Sequence, residues 1–111
     1  MSELKILLDE CTPLVVKHRL PHLDISTVQV KGWEGKTNGD LLALAETEFD
    51  VFVTTDKNLT HQQNLSGRSL AVILLPSNQV PVVLDCLVAL EKILNSISPG
   101  AYVEIQRPAP L

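Results

Sequence analysis

At 111 residues, 45% of them hydrophobic, the chain holds enough apolar material for one domain with its own core and too little length for two. Its net charge of -4 excludes nucleic-acid binding through a broad basic face, and an aromatic content of 4% excludes a base-stacking platform. A local basic rim beside an acidic metal site remains compatible with that balance, because a divalent cation offsets carboxylate charge where a phosphate binds.

Residues 4 to 9 read as a buried strand, and Thr12-Pro13 then supplies an N-cap and a proline at the first helical position. The helix so opened runs to about Leu20, where Pro21 stops it. Ile25 to Val30 alternates and is β-branched, which predicts a second strand, with Gly32 and Gly35 marking the loop beyond it. A second helix is expected from about Asn38 to Phe49, with Leu41, Leu42, Leu44 and Ala45 at helical spacing and Asp40, Glu46 and Glu48 left polar.

Val51-Phe52-Val53 predicts a third strand, and Asn58 to Asn64 a short helix or ordered loop before a turn at Ser66-Gly67. Leu70 to Leu75 is apolar without a break, as in parallel strands covered on both faces. Val80 to Ile97 is the longest predicted helix, and Pro99-Gly100 turns the chain into a last strand, Ala101 to Gln106. Strands alternating with helices imply right-handed crossovers. They predict a single three-layer α/β/α domain over residues 1–106, with a mostly parallel sheet of about five strands and a loose tail at 107–111.

No apolar run approaches the ~18 to 20 residues of a membrane span. The first ten residues, which include Glu3, Lys5, Asp9 and Glu10, do not resemble a signal peptide, so a soluble cytoplasmic protein is expected. Cys11 and Cys86 lie far apart and form no CxxC pair, which predicts two reduced thiols, with Cys86 in the core.

Two short segments carry the chemistry. Leu7-Leu8-Asp9-Glu10 and Val53-Thr54-Thr55-Asp56-Lys57 each end an apolar run in a carboxylate. Open α/β sheets place their ligands outside the carboxyl ends of the strands, so both acids are aimed at the functional edge. Asp40, at the start of the second helix, completes a candidate triad, and Glu10 adds a further acid. Converging carboxylates repel one another unless a cation binds or some stay protonated, and hard oxygen ligands suit Mg²⁺ or Mn²⁺. Structural roles compete with this reading. Thr37 and Asp40 have a spacing close to a capping box, and Asp56 suits an Asx-turn in Thr55-Asp56-Lys57-Asn58.

Lys57 and Asn58 are placed to orient phosphate or water at the same rim, and a helical segment would bring His61 towards it. His18 and His22 have a metal-binding spacing that Pro21 disrupts. Gly35-Lys36-Thr37 sits where a phosphate-binding P-loop would, but the position of that motif's first glycine holds Val30. A flexible loop is expected instead, with Trp33 folded over the surface or a partner and Lys36 available to a phosphate backbone.

The ordered set Leu7-Leu8-Asp9-Glu10 with Pro13, Thr37-Asn38-Gly39-Asp40 leading into Leu41-Leu42-Ala43-Leu44-Ala45, Val53-Thr54-Thr55-Asp56-Lys57-Asn58-Leu59, and Val72-Ile73-Leu74-Leu75 resembles the small PIN-like proteins related to VapC-type toxins. The resemblance covers about residues 4 to 90. It implies a Mg²⁺- or Mn²⁺-dependent ribonuclease, commonly a toxin neutralised by a cognate antitoxin, and carries the metal role to Asp9, Asp40 and Asp56. Cys11-Thr12 stands where these proteins often have Asn-Leu, and Asn58 where a further Asp is common.

On this reading Asp9, Asp40 and Asp56 hold one or two cations, with Glu10 and Asn58 as further ligands, while Lys57 or Lys36 holds the backbone of a single-stranded or structured RNA. A homodimer is expected, with no membrane partner. Two alternatives stand beside it. One is a receiver-like phosphoacceptor module, in which paired acids after the first strand hold Mg²⁺ and the later Asp accepts a phosphoryl group. The other is a PIN-like domain without activity that serves in binding.

Overall fold

The computed structural model describes residues 4–62, 65 and 67–108. In chain order the elements are β1 (Lys5–Leu8), α1 (Val15–Arg19), β2 (Asp24–Thr27), α2 (Val28–Lys31), α3 (Asn38–Glu48), β3 (Val51–Thr54), α4 (Lys57–Gln62), β4 (Ala71–Leu74), α5 (Val80–Ser96) and β5 (Tyr102–Glu104). All five strands are parallel, in the order β2-β1-β3-β4-β5. The expected α/β class and parallel sheet are both present.

Side chains alternate across the sheet, and the alternation sorts the core into two layers. Ile6, Leu8, Val51, Val53, Ala71 and Ile73 meet α1 through Val16 and Leu20, and α5 through Val83, Cys86, Leu90 and Leu94. Leu7, Phe52 and Val72 face the other way, against Val28 of α2, Leu41, Leu42 and Ala45 of α3, and Leu59 of α4. Every residue of β3 and β4 is buried, as the unbroken apolar runs require of strands covered on both sides.

This layering fixes the relative hand of the crossovers. The step from β1 to β2 goes one way along the sheet over the α1 face. The steps from β2 to β3 and from β3 to β4 go the opposite way over the opposite face, so all three share one hand. From β4 to β5 the chain moves in the direction of those last two steps, yet α5 lies on the α1 face. That crossover therefore has the opposite hand to the other three, so the expectation that every crossover is right-handed fails. After α5 the chain returns along the amino-terminal edge of the sheet, where Ile97, Ser98 and Pro99 share a hollow with Leu4, Asp50 and Ser69. Gly100 completes the pass. Its amide donates to the Ser69 carbonyl at 2.9 Å, its φ is +76°, and a Cβ there would lie 2.5 Å from the Arg68 carbonyl oxygen. Only glycine accepts both conditions.

Two local expectations are corrected, and a third is narrowed. The β-branched run to Val30 is strand only as far as Thr27, because β1, its only ladder partner, is paired no further than Leu8. The Thr27 hydroxyl then accepts the Val30 amide at 3.1 Å and caps the short α2. Thr12 does not cap α1, which starts at Val15, and its buried hydroxyl donates to the Val53 carbonyl at 3.3 Å instead. Trp33 folds onto the protein itself, edge-on to Phe49 with ring centroids 6.1 Å apart and Lys31 over its face.

The expected turn at Ser66-Gly67 and the end of the Asn58–Asn64 segment fall partly outside the described residues, as do residues 1–3 and 109–111. Arg107, the first tail residue, donates through Nε and Nη2 to Asp85 Oδ2 on α5, at 3.0 and 2.8 Å. His22 does not meet His18 over a metal but pairs with Glu91 of α5 at 2.6 Å. Among the described residues no helix is long and apolar enough to cross a membrane.

Candidate functional site

Asp9 follows the last residue of β1 and shares the parity of Leu7, so its carboxylate is directed to the layer of α2, α3 and α4. Thr54 ends β3 with the parity of Phe52, and the β1–β3 register brings the two together at the carboxyl edge. The Asp9 amide donates to the Val53 carbonyl at 2.9 Å, extending the ladder by one bond. Thr54 then donates through Oγ1 to Asp9 Oδ2 at 2.7 Å and accepts the Asp56 amide at 3.0 Å. One fully buried hydroxyl thus bridges the two strand-ending acids.

The rest of the Asp9 carboxylate is also engaged. Oδ1 accepts the Glu10 amide at 2.9 Å, and the Cys11 thiol lies 3.5 Å from Oδ2. Cys11 Sγ in turn accepts the Thr55 hydroxyl at 3.1 Å. Asp9 is only 7% exposed. Burial pushes its pKa above the ordinary 3.8; the hydrogen bonds from Thr54, the Glu10 amide and Cys11 pull against that, and the negative charge of Asp56 adds to the rise. The Asp56 charge is therefore near enough to bear on Asp9.

Asp56 itself accepts the Asn58 amide on Oδ1 at 2.9 Å, the Asx-turn that starts α4. Asp40 stands exposed in the first turn of α3, its amide held by the Thr37 hydroxyl at 3.3 Å in the capping arrangement. Because α3 leads back to the start of β3, that turn belongs to the same carboxyl edge as Asp9. Glu10 is exposed, and its carbonyl accepts Gln29 Nε2 at 3.4 Å. Lys36, Lys57 and Asn58 are exposed on loop and helix segments that open at this edge.

Among the described residues no three His, Cys, Asp or Glu side chains converge closely enough to hold one ion. Thr54 links the Asp9 carboxylate to the Asp56 amide, and Asp40 stands exposed in the first turn of α3. No family model, curated protein or solved structure matches the chain. Mg²⁺ binds through one or two carboxylates, several waters and substrate phosphates, so a buried Asp9 carboxylate whose charged form is penalised, with Asp56 nearby, fits such a cation.

Thr54, Thr55 and Cys11 are site residues that sequence reasoning did not single out. The available signal was parity: in Val51-Phe52-Val53-Thr54 the polar residue falls on the same face as Phe52, opposite the acid of the neighbouring strand. Thr54→Val removes both the donor to Asp9 and the acceptor for the Asp56 amide. We expect a loss of about 1–3 kcal/mol in urea unfolding, the cost of leaving buried polar groups unmet. Stability within error of the parent would mean that neither acid depends on that hydroxyl.

Proposed function

We propose that the protein is a metal-dependent ribonuclease of the PIN-like type. The observation that carries the reading is the buried Asp9 carboxylate at the carboxyl edge of a parallel sheet, linked through the Thr54 hydroxyl to the Asp56 amide and with its pKa raised by burial and, to a smaller extent, by the charge of Asp56. Support from the sequence comes from the ordered motifs resembling that family, including Asp40 at the head of α3.

Asp9 and Asp56 would hold Mg²⁺ or Mn²⁺, and Asp40 would join through water or with substrate in place. When bound, the cation supplies positive charge against the negative charge that develops on a phosphodiester and makes a water more acidic. The chain's own residues prepare this. Thr54 and the Glu10 amide fix the Asp9 carboxylate in one orientation, so little reorganisation is left for the moment of reaction. The start of α4 fixes Asp56. Lys57 and Lys36 flank the edge and would hold the RNA backbone.

A single-stranded segment is the natural substrate, since an A-form helix hides its bases in a deep groove. The same reading places the protein in the cytoplasm, as a toxin held by a cognate antitoxin and as a homodimer. The direct test is incubation with single-stranded RNA in Mg²⁺ or Mn²⁺ and in chelator. Cleavage in metal alone is expected, and intact RNA under both metals would remove the reading.

The strand order favours one other reading, a receiver-like phosphoacceptor, because 2-1-3-4-5 is the doubly-wound order of flavodoxins and receivers. Two features weigh against it. Thr54 occupies the end of β3, and Arg107, the basic residue after β5, is engaged by Asp85 on α5. Uptake of phosphate on Asp56 from a small phosphodonor, read by intact mass, would restore it.

A further inference from the structure

Because α5 crosses on the α1 face, the opposite face of the sheet beyond α4 has no helix above it among the described residues. The register pairs Leu74 of β4 with Glu104 of β5, and the two project to that face. A cleft of about 330 Å³ opens there, between α4 and the ends of β4 and β5. It is lined by Leu74, Pro76 and Ile105, of which Leu74 and Ile105 are themselves buried and Ile105 packs into the α5-side core, and by His61, Glu104 and Gln106. Lys57 also lines it, one residue after Asp56, so the cleft adjoins the acidic edge.

We propose that this cleft is a base-binding subsite that takes one nucleobase of a single-stranded RNA and prefers a base carrying an exocyclic amine over uracil. The proposal rests on the ribonuclease reading for the strand it belongs to, and on the cleft alone for its chemistry. The volume is that of a small-molecule site, and Pro76 beside convergent polar groups supplies contacts that can hold and orient a ligand. Glu104 accepts the Tyr102 hydroxyl on Oε1 at 2.7 Å, which fixes the carboxylate. An ionised carboxylate offers about four lone-pair sites, so it still accepts an amine, the pairing by which Glu reads cytosine N4. Uracil would set a carbonyl oxygen against the same carboxylate. The Gln106 amide both donates and accepts, so it can complete a second contact on the base edge.

The test uses the full chain in chelator, with binding read by NMR at the His61 ring and the Gln106 side-chain amide. The probes are cytidine and uridine monophosphates and short oligocytidylate and oligouridylate. Shifts at both residues are expected, with cytidine about tenfold tighter than uridine and the oligonucleotide tighter than the monophosphate. Glu104→Gln, an exposed edge-strand change that the fold tolerates, should abolish the preference for cytidine. Absence of shifts at His61 and Gln106, an unchanged preference in Glu104→Gln, or tighter binding of the free nucleotide than of the strand would each overturn the proposal. Since no metal is present, failure of RNA cleavage with these shifts intact would count against the nuclease reading alone.

Discussion

Asp9→Asn is expected to lower metal-dependent RNA cleavage by at least ~10²–10³, the scale of removing one preorganised electrostatic group, while making the metal-free fold more stable at neutral pH. Both effects have the same origin. The Asp9 carboxyl is held above its ordinary 3.8 by burial, with the charge of Asp56 adding to the rise. Between the unfolded and folded values the native state binds more protons than the unfolded chain. Stability therefore falls as pH rises through that window and stays lowered above it.

The asparagine has no such titration, so the falling limb due to this group should vanish. The site can accept the amide: its oxygen keeps the Glu10 amide, and its NH₂ can donate to Thr54, whose hydroxyl then turns towards the Cys11 sulfur 3.7 Å away. Urea unfolding in chelator from mildly acidic to neutral pH would check the stability arm. Superimposable pH profiles for the two proteins would show that Asp9 carries no strain, and undiminished cleavage by the variant would remove it from the metal site.

Phe52→Ala should produce the largest loss of stability. Phe52 is fully buried at the centre of β3, packed with Leu7, Leu42, Leu59 and Val72 in the layer that supports α3 and α4. Truncation leaves a cavity in a two-sided core, and the expected cost is about 3–5 kcal/mol. Domains of this size have about 5–15 kcal/mol in total, so the variant should unfold at far lower urea and populate unfolded chain near physiological temperature. A loss below about 1 kcal/mol would mean that α3 and α4 collapse onto the vacated space. Val88→Ala on the exposed side of α5 is the matched control, with a change within about 0.5 kcal/mol.

The strands were legible because burial on both faces writes itself into sequence as unbroken apolar runs, as in Val51-Phe52-Val53 and Leu70 to Leu75. The start of α3 was legible from Thr37 and Asp40, where a side chain satisfies an orphan helix amide. Asp9 lies directly after β1, where its apolar run ends, while Asp56 lies two residues past β3 in the turn that starts α4. What escaped is tertiary in origin. Val28-Gln29-Val30 has strand-like composition, and only the absence of a paired neighbour on β1 turns it into a helical turn. Thr12 has the local look of a cap, but a buried carbonyl on β3 claims its hydroxyl. The apolar spacing of Val83, Cys86, Leu90 and Leu94 announces an amphipathic helix and says nothing about which face of the sheet it will cover.

The unusual hand of the last crossover also divides the molecule by local stability. Asp9 directly follows β1 and Thr54 ends β3, strands each paired on both sides, where opening demands disruption of the whole sheet. β5 has three residues and a single neighbour, and no helix lies over its α4-side face among the described residues. It is an element that can open at little cost. Fraying there would widen the wall formed by Glu104 and Gln106 while the acid pair kept its geometry. On the proposed function, an RNA strand would then enter from a yielding side of the domain and meet its chemistry on a rigid one.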